Sequence, residues 1–248
     1  MNRIASIPFR FPTIPGVNCL FTTRWPQAEE EADSGNLSRL VSGGHPEAEA
    51  NIRRLRQGYG FSAWQELRQV HGTGISFLEL EPGEGDPPPQ ADALATSLPG
   101  RALVVKVADC QPVLMAHSSG GFVAALHVGW RANRENAPGL WVKAFCEHYG
   151  LLAKDLFAVR GPSLSPRASE FVNFQLEWGE DFRDYFRPGD KTVDLWALTR
   201  DQLHQAGIPR EQIHGLDLCT YTLSELFFSH RRDGDPRRQA GLIWISGS

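Results

Sequence analysis

Apolar residues recur along the chain with two periods, and the strongest alternation lies within residues 101–133. Leu103, Val105 and Val107 alternate with Val104, Lys106 and Ala108, while Phe122, Ala124, Leu126 and Val128 alternate with Val123, Ala125 and His127. A period of two predicts two strands flanking a polar turn, a central hairpin. Helical spacing of Trp141, Ala144, Phe145 and His148 predicts a helix over 136–149, stopped by Gly150. An earlier helix starts at Pro46 and ends at Gly58 and Gly60; two more are predicted over 175–186 and 195–206, the second closed by Gly207. Further strands are expected at 17–23, 67–70, 75–80, 156–159, 213–218 and 241–245. Hairpins mixed with separated helices predict the α+β class, a mixed, largely antiparallel sheet covered by helices. Residues 27–35 form an acidic loop, and the Pro/Gly-rich stretch 81–90 is the best candidate for a mobile flap. No repeat or boundary interrupts this pattern, so residues 1–248 read as a single domain.

Composition narrows the setting. The 248 residues are 41% hydrophobic and 22% charged, ordinary for a globular chain. A net charge of −4 gives no reason to expect nucleic acid or an anionic membrane as partner. No apolar run approaches the ~20 residues of a membrane span, and the Pro-rich N-terminus lacks the apolar core of a signal peptide. Cys19, Cys110, Cys146 and Cys219 follow no disulfide spacing, which points to free thiols and a reducing, cytoplasmic compartment. The oligomeric state is left open, with a monomer as the working expectation.

Chemistry enters with Cys110, just past a strand end, and His127, inside a buried-looking strand. Each alone is an ordinary core residue. A third residue changes the weighing: His71, in Gln69-Val70-His71-Gly72, where an apolar stretch meets a Gly-rich turn. Two imidazoles and a thiolate are good zinc ligands and leave a fourth position for water, whose pKa zinc can bring to about 7. The spacing matches no local metal motif. A metal-free Cys110 nucleophile with His127 as base is the alternative.

The stretch Ala108-Asp109-Cys110-Gln111-Pro112-Val113 through His127-Val128-Gly129-Trp130-Arg131 resembles the ADC-x-P-V…HAGWRG signature of the YfiH/laccase-domain (DUF152) family. Phe21-Thr22-Thr23-Arg24, Asn36-Leu37, Asn51, Gln69-Val70-His71-Gly72, Ala91-Asp92-Ala93-Leu94, Gly161-Pro162 and Phe228-Ser229-His230-Arg231-Arg232-Asp233-Gly234 resemble its other motifs in the same order. The resemblance implies an α/β/β/α-like fold shared with CNF-type deamidating toxins, and zinc on His71, Cys110 and His127. It also implies phosphorolysis of purine nucleosides, with adenosine deamination beside it, so the expected partners are a purine nucleoside and phosphate.

Arg24, Asn36, Asp109 and Arg131 are then the candidate substrate-binding residues; an Arg fork suits a phosphate oxyanion. Asp109 equally suits a turn cap. The toxin relatives instead imply a Cys-His amidase or hydrolase, and some bacterial members of the family imply that such amide hydrolysis serves peptidoglycan-precursor editing. Laccase chemistry is disfavoured: the eight histidines contain no H-x-H pair, and Met1 and Met115 are the only thioethers. Copper is therefore the second choice at the zinc ligands. Arg167 and Ala168 stand where many relatives carry a Cys-Cys pair, and Ala132 replaces the last Gly of the signature.

Overall fold

The computed structural model describes residues 5–24, 35–39, 46–79, 87–234 and 236–247. Its first strands are β1 (Ser6–Phe9), β2 (Val17–Thr22), β3 (Ala63–Glu66), β4 (Ile75–Phe77) and β5 (Ala93–Thr96). The central segment supplies β6 (Arg101–Val107), β7 (Gln111–His117) and β8 (Val123–Val128), and β9 (Leu156–Arg160) follows. A small pair, β10 (Phe186–Arg187) and β11 (Thr192–Val193), precedes β12 (Ile213–Gly215) and β13 (Gln239–Ile245). One sheet has the order β1-β2-β13-β6-β3 and the other β12-β9-β7-β8-β5-β4. Most pairings are antiparallel; β3 with β6, β4 with β5 and β9 with β12 are parallel.

The two sheets pack face to face. Phe21, Leu103, Val105 and Ile243 of the first meet Leu94, Leu114, Ala125 and Val159 of the second in one buried cluster. Burial on both faces explains why β6, β8 and β13 read as almost continuous apolar runs. The outer face of the five-stranded sheet, with Leu20, Val104 and Leu242, is covered by Ile52 and Leu55 of helix α1 (Pro46–Tyr59). The other outer face, with Val113, Met115 and Leu126, is covered by Trp141, Val142 and Phe145 of α3 (Ala137–Tyr149) and Leu203 of α5 (Leu195–Gln205). Short helices α2 (Trp130–Arg134), α4 (Phe174–Glu177) and α6 (His230–Asp233) sit in the connections. The layers run helix, sheet, sheet, helix.

Several sequence expectations change. The one sheet read from the hydrophobic pattern is two sheets, in the α/β/β/α-like layering the resemblance implies. The expected hairpin is split: β6 belongs to one sheet, while β7 and β8 form the hairpin in the other. Pro112 masks β7 as a breaker, yet it is tolerated near the strand start opposite His127. The strand expected at 67–70 lies earlier, as β3, and those at 75–80 and 213–218 stop at Phe77 and Gly215. The helix expected over 175–186 is one α-turn and a 3₁₀ segment, because Gly179 between them takes φ +85°. Loop 27–35 lies outside the described residues except for residue 35, and so does the flap candidate at 81–90 up to residue 86.

Candidate metal centre

His71, Cys110 and His127 converge from three elements. Cys110 directly precedes β7, whose Gln111 and Pro112 pair with Val128 and His127 of β8. Strand pairing therefore sets the thiol beside the buried imidazole. His71 comes from the turn after β3, in left-handed backbone at φ +58°. The candidate ligand atoms of the three all lie within 4.8 Å of one another. Cys110 Sγ is 4.0 Å from His71 Nε2, and the two rings meet edge-on with centroids 4.8 Å apart. Exposure falls from His71, at the surface, through Cys110 to His127, which is buried. One side of the cluster is open to solvent.

Asp92 organises both histidines. Its fully buried carboxylate accepts His127 Nδ1–H at 2.8 Å and the backbone N–H groups of Val70, His71 and Gly72 at 3.2, 2.9 and 2.7 Å. Holding His127 at Nδ1 leaves Nε2 for the cluster, the carboxylate–histidine arrangement common behind metal ligands. Burial pushes the Asp92 carboxyl up, but the bonds from His127 and Gly72 outweigh it and hold it below its ordinary range. Gln69 anchors the same turn from the other sheet: its side-chain amide donates to the Lys106 carbonyl and accepts the Lys106 N–H, at 2.9 and 2.8 Å.

In the metal-free protein, burial raises the Cys110 thiol, but the charge and hydrogen bonds of His127 and His71 prevail and bring it down to about 6. His127 goes the other way: burial lowers it, and Cys110 with Asp92 carries it to about 9. Gly129 closes the floor. A Cβ there would lie 3.1 Å from His71 Cδ2 and 3.3 Å from Cys110 Sγ, so the cluster needs a bare backbone at this position.

The donor set fits a tetrahedral metal ion. Zinc bonds of about 2.0–2.1 Å to nitrogen and 2.3 Å to sulfur place ligand atoms roughly 3.3–3.6 Å apart. The candidate ligand atoms, all within 4.8 Å of one another, are spaced somewhat wider than that.

Of the other expected residues, Asp109 directly precedes Cys110 and Arg131 follows Gly129 by two positions, whereas the contacts of Arg24 and Asn36 are with other segments. Arg24 donates to the Ser224 carbonyl at 3.0 Å and lies 5.5 Å over the Phe228 ring, while its buried Nε has no partner. Asn36 is fully buried. Its amide ties Ser38 and the Arg238 N–H together, which is a scaffold's bonding pattern. Asp109, at φ +94°, accepts Thr220 Oγ1–H and the Arg231 N–H, both at 2.7 Å, and so caps α6 and fixes the Cys110 turn. Arg131 is exposed and stacks 4.4 Å over Trp130, next to Gly129. In the sequence Asp92 is visible only within Ala91-Asp92-Ala93-Leu94, and its signal there is a lone carboxylate inside an alanine- and leucine-rich run.

Residues 18–246 match the family model described as multi-copper polyphenol oxidoreductase laccase. The chain belongs to this laccase-like family. Within it, the chain is similar to "Purine nucleoside phosphorylase YfiH" of Escherichia coli K12, 34% identical over 222 residues, 86% of this chain and 87% of the relative. It is also 34% identical over 252 residues to a purine nucleoside phosphorylase of Xylella fastidiosa, covering 95% of each. Among solved structures, the Neisseria meningitidis DUF152 protein NMB0706 superposes with a TM-score of 0.83 at 29% identity, covering 98% of this chain and 99% of that one. Among its described residues, this member of the laccase-like family gathers one group of three metal-capable side chains, His71, Cys110 and His127.

Proposed function

We propose that the protein is a purine nucleoside phosphorylase whose His71–Cys110–His127 cluster holds one zinc ion, with adenosine deamination as a second activity of the same centre. The observation that carries this reading is the solvent-edged His₂Cys cluster backed by Asp92, in a chain similar over most of its length to relatives bearing that name. In phosphorolysis a phosphate oxygen bonds to the ribose anomeric carbon, the glycosidic C–N bond breaks, and the purine leaves with a proton. Bound at the cluster, zinc supplies a Lewis acid for a substrate oxygen or nitrogen.

The chain's own groups do the rest. Asp92 holds His127 in one tautomer, and the exposed His71 borders the open side. Arg24, with an unsatisfied Nε, and the exposed Arg131 are the guanidinium groups we assign to phosphate. The four free thiols fit a reducing, cytoplasmic setting. A single three-residue centre among the described residues suits zinc better than the several copper centres of a polyphenol oxidase. Adenosine and inosine incubated with and without phosphate provide the test. Phosphate-dependent release of base and ribose 1-phosphate, abolished by chelation and restored by zinc, is expected; release indifferent to phosphate and chelator overturns the reading.

One observation favours a second reading: the linear order Cys110, His127, Asp92 is that of a thiol nucleophile, its base and the orienting carboxylate. Metal-free amide hydrolysis follows from it. A trapped acyl-Cys110 adduct in chelator-treated, fully active protein would establish it.

A further inference from the structure

Behind the metal cluster, on the side of the six-stranded sheet that faces α5, runs a chain of buried side-chain amides. Gln111, the residue after Cys110, opens β7 and shares the outward register of Val113 and Met115. Its Nε2 donates to Thr199 Oγ1 of α5 at 2.8 Å and to Asn133 Oδ1 of α2 at 3.2 Å. Asn133 Nδ2 donates to the same Thr199 oxygen and to Gln202 Oε1, both at 2.8 Å. Gln202 Nε2 in turn donates to the Asn133 carbonyl at 2.6 Å. Asn133 is fully buried and Gln111 is 1% exposed. Neither belongs to the motifs that carry the resemblance: Gln111 is the open x of ADC-x-P-V, and Asn133 follows the six residues that match HAGWRG.

These bonds reach the metal cluster from two sides. Helix α2 has five residues, too few to hold a helical turn unaided, and buries only Ala132 and Asn133. The Asn133 N–H donates to the Gly129 carbonyl at 3.0 Å, so whatever holds Asn133 also holds Gly129. Gly129 has no side chain to fasten it. Its backbone nevertheless stands so close to the cluster that one added carbon would lie 3.1 Å from His71 Cδ2 and 3.3 Å from Cys110 Sγ. On the other side, Gln111 is joined to Cys110 by the peptide bond itself. The two amides therefore tie the backbone on both sides of the cluster to a single hydroxyl of α5.

Stability alone does not account for them. Every polar atom of the Asn133 side chain is spent, but Gln111 Oε1 is buried and has no partner. A buried orphan acceptor costs stability that a methionine of the same length would not. What the amides supply, and an apolar pair does not, is direction: a satisfied buried network admits one arrangement of its members. A site of this kind tolerates displacements of only about 0.5 Å.

We propose that Gln111 and Asn133 are a positioning pair, which fixes the Gly129 backbone against the Cys110 end of β7 and so sets the width of the metal cluster. Its consequence for zinc rests on the function proposed above; the fastening of α2 does not.

The whole protein is measured first without metal. Gln111→Met removes the donor and the orphan acceptor together and leaves Asn133 Oδ1 as the new orphan, so the melting temperature is expected to stay within a few degrees. Hydrogen exchange at the Asn133 amide is expected to quicken about tenfold, with the α3 amides unchanged. Zinc affinity, from competition with a chromophoric chelator, is expected to fall about tenfold. Cobalt(II) in place of zinc reports ligand geometry through its visible absorption bands, which are expected to shift. Asn133→Leu, similar in shape, should move exchange, affinity and bands in the same directions; if it does not fold, Gln111→Met decides. Exchange at Asn133 that keeps the wild-type rate overturns the proposal. So does a uniform rise through α2, α3 and α5 with a falling melting temperature, the mark of a merely structural pair. Wild-type zinc affinity and cobalt bands in the variants overturn it as well. A wild-type protein that takes up no zinc would defeat the proposed function instead, and exchange at Asn133 would then decide the pair alone.

Discussion

Asp92 and His127 are joined by a 2.8 Å bond between carboxylate and Nδ1, and the same carboxylate gathers the backbone of the turn that presents His71. One buried acid therefore sets the spacing of two candidate ligands from opposite ends of the cluster. Asp92→Asn keeps the shape and removes the charge. Zinc affinity is expected to fall about 10–100-fold, the usual cost of losing a partner behind a ligand. Competition against a chromophoric chelator measures it, and an unchanged affinity would reduce Asp92 to a turn cap.

Gly129 makes a cleaner test, because its φ of −83° is open to alanine. The added methyl meets His71 and Cys110, not the backbone of its own turn. Gly129→Ala is expected to retain its melting temperature within a few degrees while losing at least tenfold in zinc affinity. Full unfolding, or full zinc binding, would contradict the crowding seen here.

Arg24→Ala separates the phosphate role from a scaffold role. A charge-assisted bond to a desolvated anion is worth about 1.5–3 kcal/mol, ten- to a hundredfold. The phosphate KM is expected to rise by that factor, with the nucleoside KM nearly constant. Equal rises in both, or a lowered melting temperature with neither, would leave Arg24 as the residue that fastens the 224–228 segment.

Zinc content and thiol reactivity should move together. About one zinc per chain is expected, lost in His71→Ala, Cys110→Ala or His127→Ala. Iodoacetamide should label Cys110 slowly in the zinc-loaded protein and quickly after chelation. In the chelated protein the thiolate forms as pH rises through about 6. Labelling should therefore climb through that pH and level off above it, where an ordinary thiol is still rising towards ~8.5. A midpoint near the ordinary value would mean that the imidazoles do not act on the sulfur.

The residue types of the candidate cluster were legible in the sequence and their closeness was not. Nothing in the sequence around His71 shows that the chain passes there from β3 in one sheet to β4 in the other; only sheet assembly brings the turn to the strand ends. The helices α1, α3 and α5 were readable because Pro46, Gly150 and Gly207 mark their ends in the chain itself. β1, β5 and β7 escaped for different reasons. Ser6–Phe9 and Ala93–Thr96 are too short to show a period, and Pro112 stands where a strand should not tolerate it. Gln69 and Gly129 carried no signal beyond their motifs, since the Gln69 amide bonds a backbone 37 positions away and Gly129 acts by having no side chain.

The turn at 69–72 is fastened on one side to Lys106 of the five-stranded sheet and on the other to Asp92 at the head of β5 in the six-stranded sheet. It is a rivet through two plates. Any sliding of one layer over the other must either break those bonds or drag His71 away from His127. An ion clasped by both imidazoles would then act as a lock on shear between the layers. Amide hydrogen exchange in β5 and β6, neither of which carries a candidate ligand, should slow when metal is added.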